Sequence, residues 1–349
     1  MALPTIDTQA MLNFLTRLLN IPSPTGFTDA AIDFCAAEFG ALPNLTMQRT
    51  RKGALLIRWQ GRSDDAPRAL TAHVDTLGAM VKEIKSNGRL KLTRLGGFVW
   101  NTAEGEGCTV FCNAGAPLRG SILLNKASGH VYGADVNDTK RSDDTMEVRL
   151  DARTLSAADT AALGVRVGDF VAFDPRVEIT NGFVRSRHLD DKACVANLWS
   201  AVQALNAAGL QPAQTTYLLI SNYEEVGHGA ASGIPAEVTE LVTVDMAAVG
   251  DGQASDEFHV TLCIKDSGGP YHYGLNQKLR ALAEQHGIAY VTDIYPFYGS
   301  DGEAFWRAGG DVAVALIGPG VDASHNYERT HTEALLATTQ WIMAYVLAE

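Results

Sequence analysis

The pattern of apolar and polar positions divides the chain into two textures. Apolar residues recur at helical spacing through 11–19. The loop Ile-Pro-Ser-Pro-Thr-Gly follows, and a second helix runs through Phe34. Strands are predicted at 45–50 and 54–59 around an Arg-Lys-Gly turn, and at 68–73, ending on His73. From 77 to 174 the pattern shortens to alternating runs at 79–84, 89–95, 109–112 and 146–150, with Asn87-Gly88 as a hairpin turn. A short helix at 156–163 opens on a Ser-x-x-Asp capping box, and Asn181-Gly182 marks another hairpin. After Asp190 the longer rhythm returns with a helix over 193–208, stopped by Gly209, and strands at 215–221, 241–245 and 259–264. A helix at 275–286, strands at 289–293 and 312–317, and a last helix from Thr330 complete the reading; Glu333 makes a Thr-x-x-Glu box with Thr330. The expected organisation is an α/β domain formed by 1–76 and 175–349, interrupted by a β-rich insertion at 77–174. No internal repeat or low-complexity segment is visible.

Composition narrows the function classes. A chain of 349 residues with 46% hydrophobic content can build a large core, and mean hydropathy near zero is that of a soluble globular protein. The formal charge of −12 argues against nucleic acid or an anionic membrane surface as the main partner. No basic region precedes an apolar stretch at the amino terminus, and no segment approaches the roughly 20 apolar residues of a membrane span, so a cytoplasmic location is expected. Five cysteines without a Cys-x-x-Cys pair fit neither a disulfide scaffold nor a thiolate zinc site. Cys108 and Cys112 lie in one alternating run and read as structural.

Candidate chemistry collects at the ends of the apolar runs. Glu224 and Glu225 are adjacent carboxylates after the strand at 215–221, with no balancing charge beside them. One of two such carboxylates can bind a metal while its neighbour moves protons. A Glu-Glu pair alone is usually a solvated turn, so the case rests on its company. His73 and Asp75 end the strand at 68–73, and a carboxylate two residues on could hold the second imidazole nitrogen. Asp190 and Asp191 open the helix that follows, Asp245 ends a strand, and His325 lies in Ala-Ser-His-Asn-Tyr-Glu-Arg. In open α/β sheets the carboxyl ends of strands form the ligand crevice, where these side chains would converge. Imidazole and carboxylate donors without thiolates suit zinc, cobalt or manganese, and the number of carboxylates favours two ions over one. A Glu224–His228 ligand pair on one helical turn is a second reading, opposed by Gly227 and Gly229. His130, His188, His259, His272, His286 and His331 read as surface or structural histidines. Asp190 could instead be a helix cap. Asp64-Asp65 and Asp143-Asp144 read as polar loops.

In order, His73-x-Asp75, Asp190-Asp191, Glu224-Glu225, Asp245 and His325 resemble the dinuclear metallopeptidases of aminopeptidase-like fold. The β-rich stretch between His73 and Asp190 places the resemblance with the glutamyl and tetrahedral (TET) aminopeptidases, also described as cellulase M. Leu95-Gly96-Gly97-Phe98, Asp266-Ser-Gly-Gly-Pro270, Ser300-Asp301 and the run from His325 to His331 extend it over nearly the whole chain. Thr76, His188 and Lys192 depart from residues frequent in that family.

The resemblance implies a three-layer α/β/α catalytic domain with a mixed central sheet, and a β-barrel-like insertion that mediates dimerisation and tetrahedral dodecamers. It implies one metal on His73, Asp190 and Asp245 and another on Asp190, Glu225 and His325, with zinc the leading ion and cobalt or manganese as alternatives. Glu224 would be the general base, Asp75 a supporting residue, and Asp191 would set the Asp190 geometry through a cis peptide. The implied activity is removal of amino-terminal residues from peptides. Two other readings stand beside it: a glycoside hydrolase using two carboxylates, and a metal-stabilised scaffold without turnover.

Overall fold

The computed structural model describes residues 2–349. Its centre is a mixed ten-stranded sheet. Four neighbouring strands, Gln214–Ser221, Ser63–His73, Glu240–Val244 and Ala313–Val321, run parallel to one another. Val260–Asp266 then pairs antiparallel with Ala313–Val321, and Leu55–Trp59 pairs antiparallel with Gln214–Ser221 on the other side.

The central strands are apolar almost continuously because both faces are covered. Alternate residues enter separate cores. Leu70, Ala72, Val242, Val244, Ala315 and Ile317 face the larger core, which includes helices Thr8–Leu19, Leu189–Ala207 and Thr332–Leu347. Ala69, Leu241, Val314 and Leu316 point to the opposite core, with Tyr271, Tyr295 and the helix Asp301–Arg307. This gives the expected three layers. Trp341 anchors the larger core: it is fully buried and its indole N–H donates to the Leu279 carbonyl at 2.9 Å. Trp341→Ala is expected to cost about 3–5 kcal/mol of stability, read from chemical denaturation.

Six antiparallel strands between 78 and 173 close into a barrel around its own apolar core of Leu90, Val110, Ile122, Val148 and Val171 among others. Barrel closure removes the exposed edges that a six-stranded open sheet would leave. The strand Leu118–Leu124 had no counterpart in the sequence reading.

Some local expectations need correction. The final helix begins at Thr332, and its cap is His331, whose ring nitrogen accepts the Glu333 N–H at 3.2 Å. Thr330 instead lies in the strand Glu328–His331 and donates its hydroxyl to the Gly320 carbonyl. The predicted Thr330–Glu333 box is therefore absent, because strand pairing of Thr330 with Val184 uses that residue's backbone. The helix at 193–208 starts earlier, at Leu189, with non-helical backbone at Asp190 and Asp191, whose peptide bond is cis. Among the described residues no helix is long and apolar enough to cross a membrane.

Candidate active site

Three parallel strands deliver the site. Ser63–His73 ends on His73, Gln214–Ser221 is followed by the single 3-10 turn Glu224–Val226, and Glu240–Val244 is followed by Asp245. All three ends lie on the carboxyl side of the sheet, where backbone hydrogen bonding stops and side chains can converge. Asp190 arrives from the start of the long helix and His325 from the loop after Ala313–Val321.

The structure brings these side chains into two overlapping groups. Single donor atoms of His73, Asp190 and Asp245 lie within 4.8 Å of one another, as do those of Asp190, Glu225 and His325. Asp190 belongs to both. One of its carboxylate oxygens lies 3.2 Å from His73 Nε2 and the other 3.3 Å from His325 Nε2. His325 Nε2 is also 3.5 Å from Glu225, and His73 Nε2 is 3.7 Å from Glu224.

The far nitrogen of each imidazole is fixed. His73 Nδ1 lies 2.9 Å from the Asp75 carbonyl oxygen, and His325 Nδ1 lies 2.6 Å from the Gly97 carbonyl oxygen. Donation of Nδ1–H to a carbonyl leaves the Nε2 lone pair pointing at carboxylates. Buried His73 Nε2 has no hydrogen-bond partner, despite its 3.2 Å separation from Asp190. A nitrogen turned toward anionic oxygens is satisfied by a shared proton or by a metal ion, and the nitrogen and oxygen donor set fits divalent ions.

Electrostatics make the same demand. Burial disfavours the His73 imidazolium, yet contacts with Asp190 and Asp75 and the charge of Glu224 hold its pKa well above the usual value. Burial likewise opposes, and Asp190 and Glu225 overcome, a charged His325, which is raised to about 11. Asp190 is held below the usual carboxylate range against burial by His325 and His73. Glu224 and Glu225 are pushed well above theirs by burial, with Asp245 adding for Glu224 and Asp190 for Glu225. Burial and Asp190 raise Asp245 to about 7. The groups hold protons because too few positive charges are present, a deficit that cations would remove.

Asp75 meets the imidazole twice: its backbone carbonyl oxygen lies 2.9 Å from His73 Nδ1 and its carboxylate 3.5 Å from the same nitrogen, as the His-x-Asp spacing predicts. The carboxylate also accepts the N–H groups of Glu224 and Glu225 at 3.1 and 3.3 Å and the Thr25 hydroxyl at 2.7 Å, contacts that the spacing does not announce. Asp191 is fully buried and accepts the His73 N–H at 3.1 Å, fixing that strand end.

Two further buried acids, which the motif spacing does not single out, support the site. Glu328 accepts the N–H of Asp190 with one oxygen and that of His325 with the other, at 3.1 and 3.0 Å. Asp301 accepts the hydroxyls of Thr71 and Ser221 and the Ala230 N–H. Their partners Asp190, Thr71, Ser221 and Ala230 lie 71 or more positions away and leave no local signal. His228 stacks on Tyr223 at 5.3 Å, and Glu224–Val226 is one 3-10 turn, so the alternative Glu224–His228 pair on a helical face is not formed. His272 caps a helix and His259 contacts Asp256. Cys108 is buried, and Cys112 is partly exposed; both are free thiols.

A cleft of about 650 Å³ opens over Asp190, Glu224, Glu225, Asp245 and His325. Met246, Tyr298, Ser300 and Arg307 continue its wall, and Phe297 stands almost fully exposed at its edge. The barrel also reaches the site, through Gly97, which receives His325 Nδ1, and Gly96, whose φ of +83° and proximity to Leu77 and Glu225 leave no room for a side chain.

The chain is similar to several known proteins. YhfE of Bacillus subtilis (strain 168), provisionally named an aminopeptidase, is 48% identical over 336 residues, covering 96% of each chain. Among solved structures, aminopeptidase APDkam598 of Desulfurococcus kamchatkensis superposes with a TM-score of 0.87 at 20% identity, covering 97% of this chain and 95% of that one. The TET1 peptidase of Pyrococcus horikoshii, which can assemble into a tetrahedron or a large octahedral shell, gives 0.84 at 20% identity, covering 97% and 100%. The family model for M42 glutamyl aminopeptidase matches residues 53–340, and the chain therefore belongs to that family of peptidase hydrolases.

Proposed function

We propose that the protein is a dinuclear metal-dependent aminopeptidase that removes amino-terminal residues from peptides. The observation that carries this reading is the Asp190 carboxylate, with one oxygen toward His73 and the other toward His325. His73, Asp190 and Asp245 would hold one divalent ion, and Asp190, Glu225 and His325 the other, with zinc favoured over cobalt or manganese by the donor set. Bound ions of this kind polarise a carbonyl and make water a nucleophile near neutral pH. Glu224 stands outside both donor groups and is the base: its carboxylate takes the proton of the attacking water and passes it to the leaving amine nitrogen. Asp75 holds the backbone of both glutamates so that their carboxylates diverge to these separate tasks.

The reading is tested with metal-loaded protein, a peptide carrying a free amino terminus, its acetylated twin and a soluble β-glucan. Stepwise loss of residues from the free peptide alone is expected. Release of sugar would favour the glycoside-hydrolase alternative, for which two carboxylates about 5 to 9.5 Å apart would suffice without histidines. Absence of any turnover would favour the scaffold.

Protonation gives a second test. Asp245 rises from 3.8 to about 7, Glu328 from 4.5 to about 8, and His325 from 6.5 to about 11. Where a folded-state pKa exceeds the unfolded one, the folded chain binds more protons across the interval, so stability falls as pH rises through it. Asp190 acts oppositely, contributing stability above its unfolded pKa that is lost as pH falls. Within the window Lys192, lowered by burial to about 7, and His188, lowered by burial below its usual range, also add stability as pH rises. The raised groups, which include His73, Glu224 and Glu225, outnumber them, so the Tm of chelated protein is expected to fall as pH climbs from about 5 to about 9. Zinc should flatten this dependence and release protons near pH 6.5, measured by calorimetry in two buffers of different ionisation enthalpy.

Family membership and the barrel support a further element of the proposal. The catalytic unit comprises 1–76 and 175–349, and the inserted unit 77–174 mediates self-association, with a tetrahedral dodecamer as the expected particle. Light scattering distinguishes it from a dimer.

A further inference from the structure

Lys52 reaches across from the turn between the first two strands to the loop that carries both glutamates. We propose that Lys52 is a positioning residue for peptide hydrolysis, acting through the Glu224 carboxylate. This rests on the aminopeptidase reading above.

The loop has a conformation that does not hold itself. Tyr223 at φ 66° and Gly227 at φ 85° bracket the turn Glu224–Val226 in the left-handed region. For tyrosine that backbone is unfavourable and persists only where surrounding contacts fix it. Asp75 fixes the inner side through the N–H groups of Glu224 and Glu225, and Asp301 fixes the far end through the Ala230 N–H at 2.7 Å. Between these points the chain turns through Val226–Gly229, and there Lys52 closes it.

Its ammonium donates to the His228 carbonyl and, at 2.8 Å, to the Gly229 carbonyl. Among the described residues no other group donates to either. The same ammonium lies 5.7 Å from the centre of the Tyr223 ring, which stacks on His228. Lys52 is itself held, since Asn222 Nδ2 donates to its carbonyl at 3.0 Å and to Thr28 at 3.3 Å. Gly53, at φ 95°, lets the turn pass close beneath Asn222, where a Cβ would approach Nδ2 to 3.0 Å. Burial lowers the Lys52 pKa, against the charges of Asp301 and Asp75, as expected of an ammonium drawn under a loop.

The chemistry explains why this clamp matters. A base that shuttles a proton between water and the leaving nitrogen must stay within hydrogen-bond reach of both, and displacement of about 1 Å can cost a hundredfold in rate. Loss of two carbonyl contacts would let 226–229 relax and Glu224 drift, without removing anything that contacts substrate.

The test uses full-length, metal-loaded protein and a peptide with a free amino terminus. Lys52→Met is expected to lower kcat 10- to 100-fold, with KM within about twofold and metal content unchanged. Lys52→Arg, which keeps a cationic donor, should recover most of the loss, and Lys52→Gln should be intermediate; both keep the test alive if the methionine variant does not fold. In a Glu224→Gln background Lys52→Met should cause no further loss, because the group it positions is gone. Unchanged kcat in Lys52→Met and Lys52→Gln overturns the proposal, as does an equal loss in the Glu224→Gln background or a loss that tracks metal content. Inactivity of the wild-type protein on all peptides would instead defeat the aminopeptidase reading.

Discussion

Glu224→Gln is expected to reduce kcat by roughly a thousandfold, within the 10²–10⁴ range for removal of a general acid–base, while both metal ions remain bound. The substitution keeps the side-chain length and one oxygen but deletes the ability to accept a proton. Glu224 supplies no atom to either donor group, whereas its neighbour Glu225 supplies one to the group with Asp190 and His325. Its backbone N–H to Asp75 is untouched by the change, so the turn should hold. Glu225→Gln is the contrasting control: affinity at one site should fall and activity should fall with it, recovering in part at high metal concentration. Metal content by elemental analysis and turnover on one peptide separate the two. A Glu224→Gln enzyme with near-normal kcat would move the base elsewhere.

Asp190→Asn is expected to be the most damaging single change to metal binding. Asp190 is the residue shared by both donor groups, and asparagine offers one oxygen without charge where two anionic oxygens now face two imidazoles. Changes to supporting partners of metal ligands cost about 10- to 100-fold in affinity, so loss of a shared ligand should exceed that at both sites. Metal content should fall from about two per chain toward none, with activity at background. Asp245→Asn touches one group only and should spare the other ion. Equal retention of metal in Asp190→Asn and wild type would show that Asp190 is not shared.

Much of this was legible in the sequence because it is written locally. The strand that ends on His73 and the strand before Asp245 are apolar runs that stop at a polar residue, and the sheet geometry that follows places such ends together. Neighbouring parallel strands then set His73 and Ser221 side by side in register, which carries the Glu224–Val226 turn to the imidazole. Contacts far apart in sequence leave no such mark: Glu328 accepts the Asp190 N–H from 138 positions away, and Gly97 of the barrel meets His325 Nδ1 from 228 positions away. The last helix starts two residues after Thr330 because His331 caps it with a ring nitrogen, a cap that the Thr-x-x-Glu pattern does not describe. The Asp75 carboxylate does reach His73 Nδ1, at 3.5 Å, but its bonds to the Glu224 and Glu225 N–H groups cross about 150 positions and have no local mark.

The proposed centre holds a pair of ions on either side of Asp190, with Glu224 outside their donor groups. Crystals of the Glu224→Gln protein grown with zinc, with anomalous differences recorded on both sides of the zinc edge, test it most directly. Two zinc peaks per chain are expected, one among His73, Asp190 and Asp245 and one among Asp190, Glu225 and His325, with the side chain at 224 bound to neither. A single peak, peaks away from Asp190, or residue 224 serving as a ligand would contradict it.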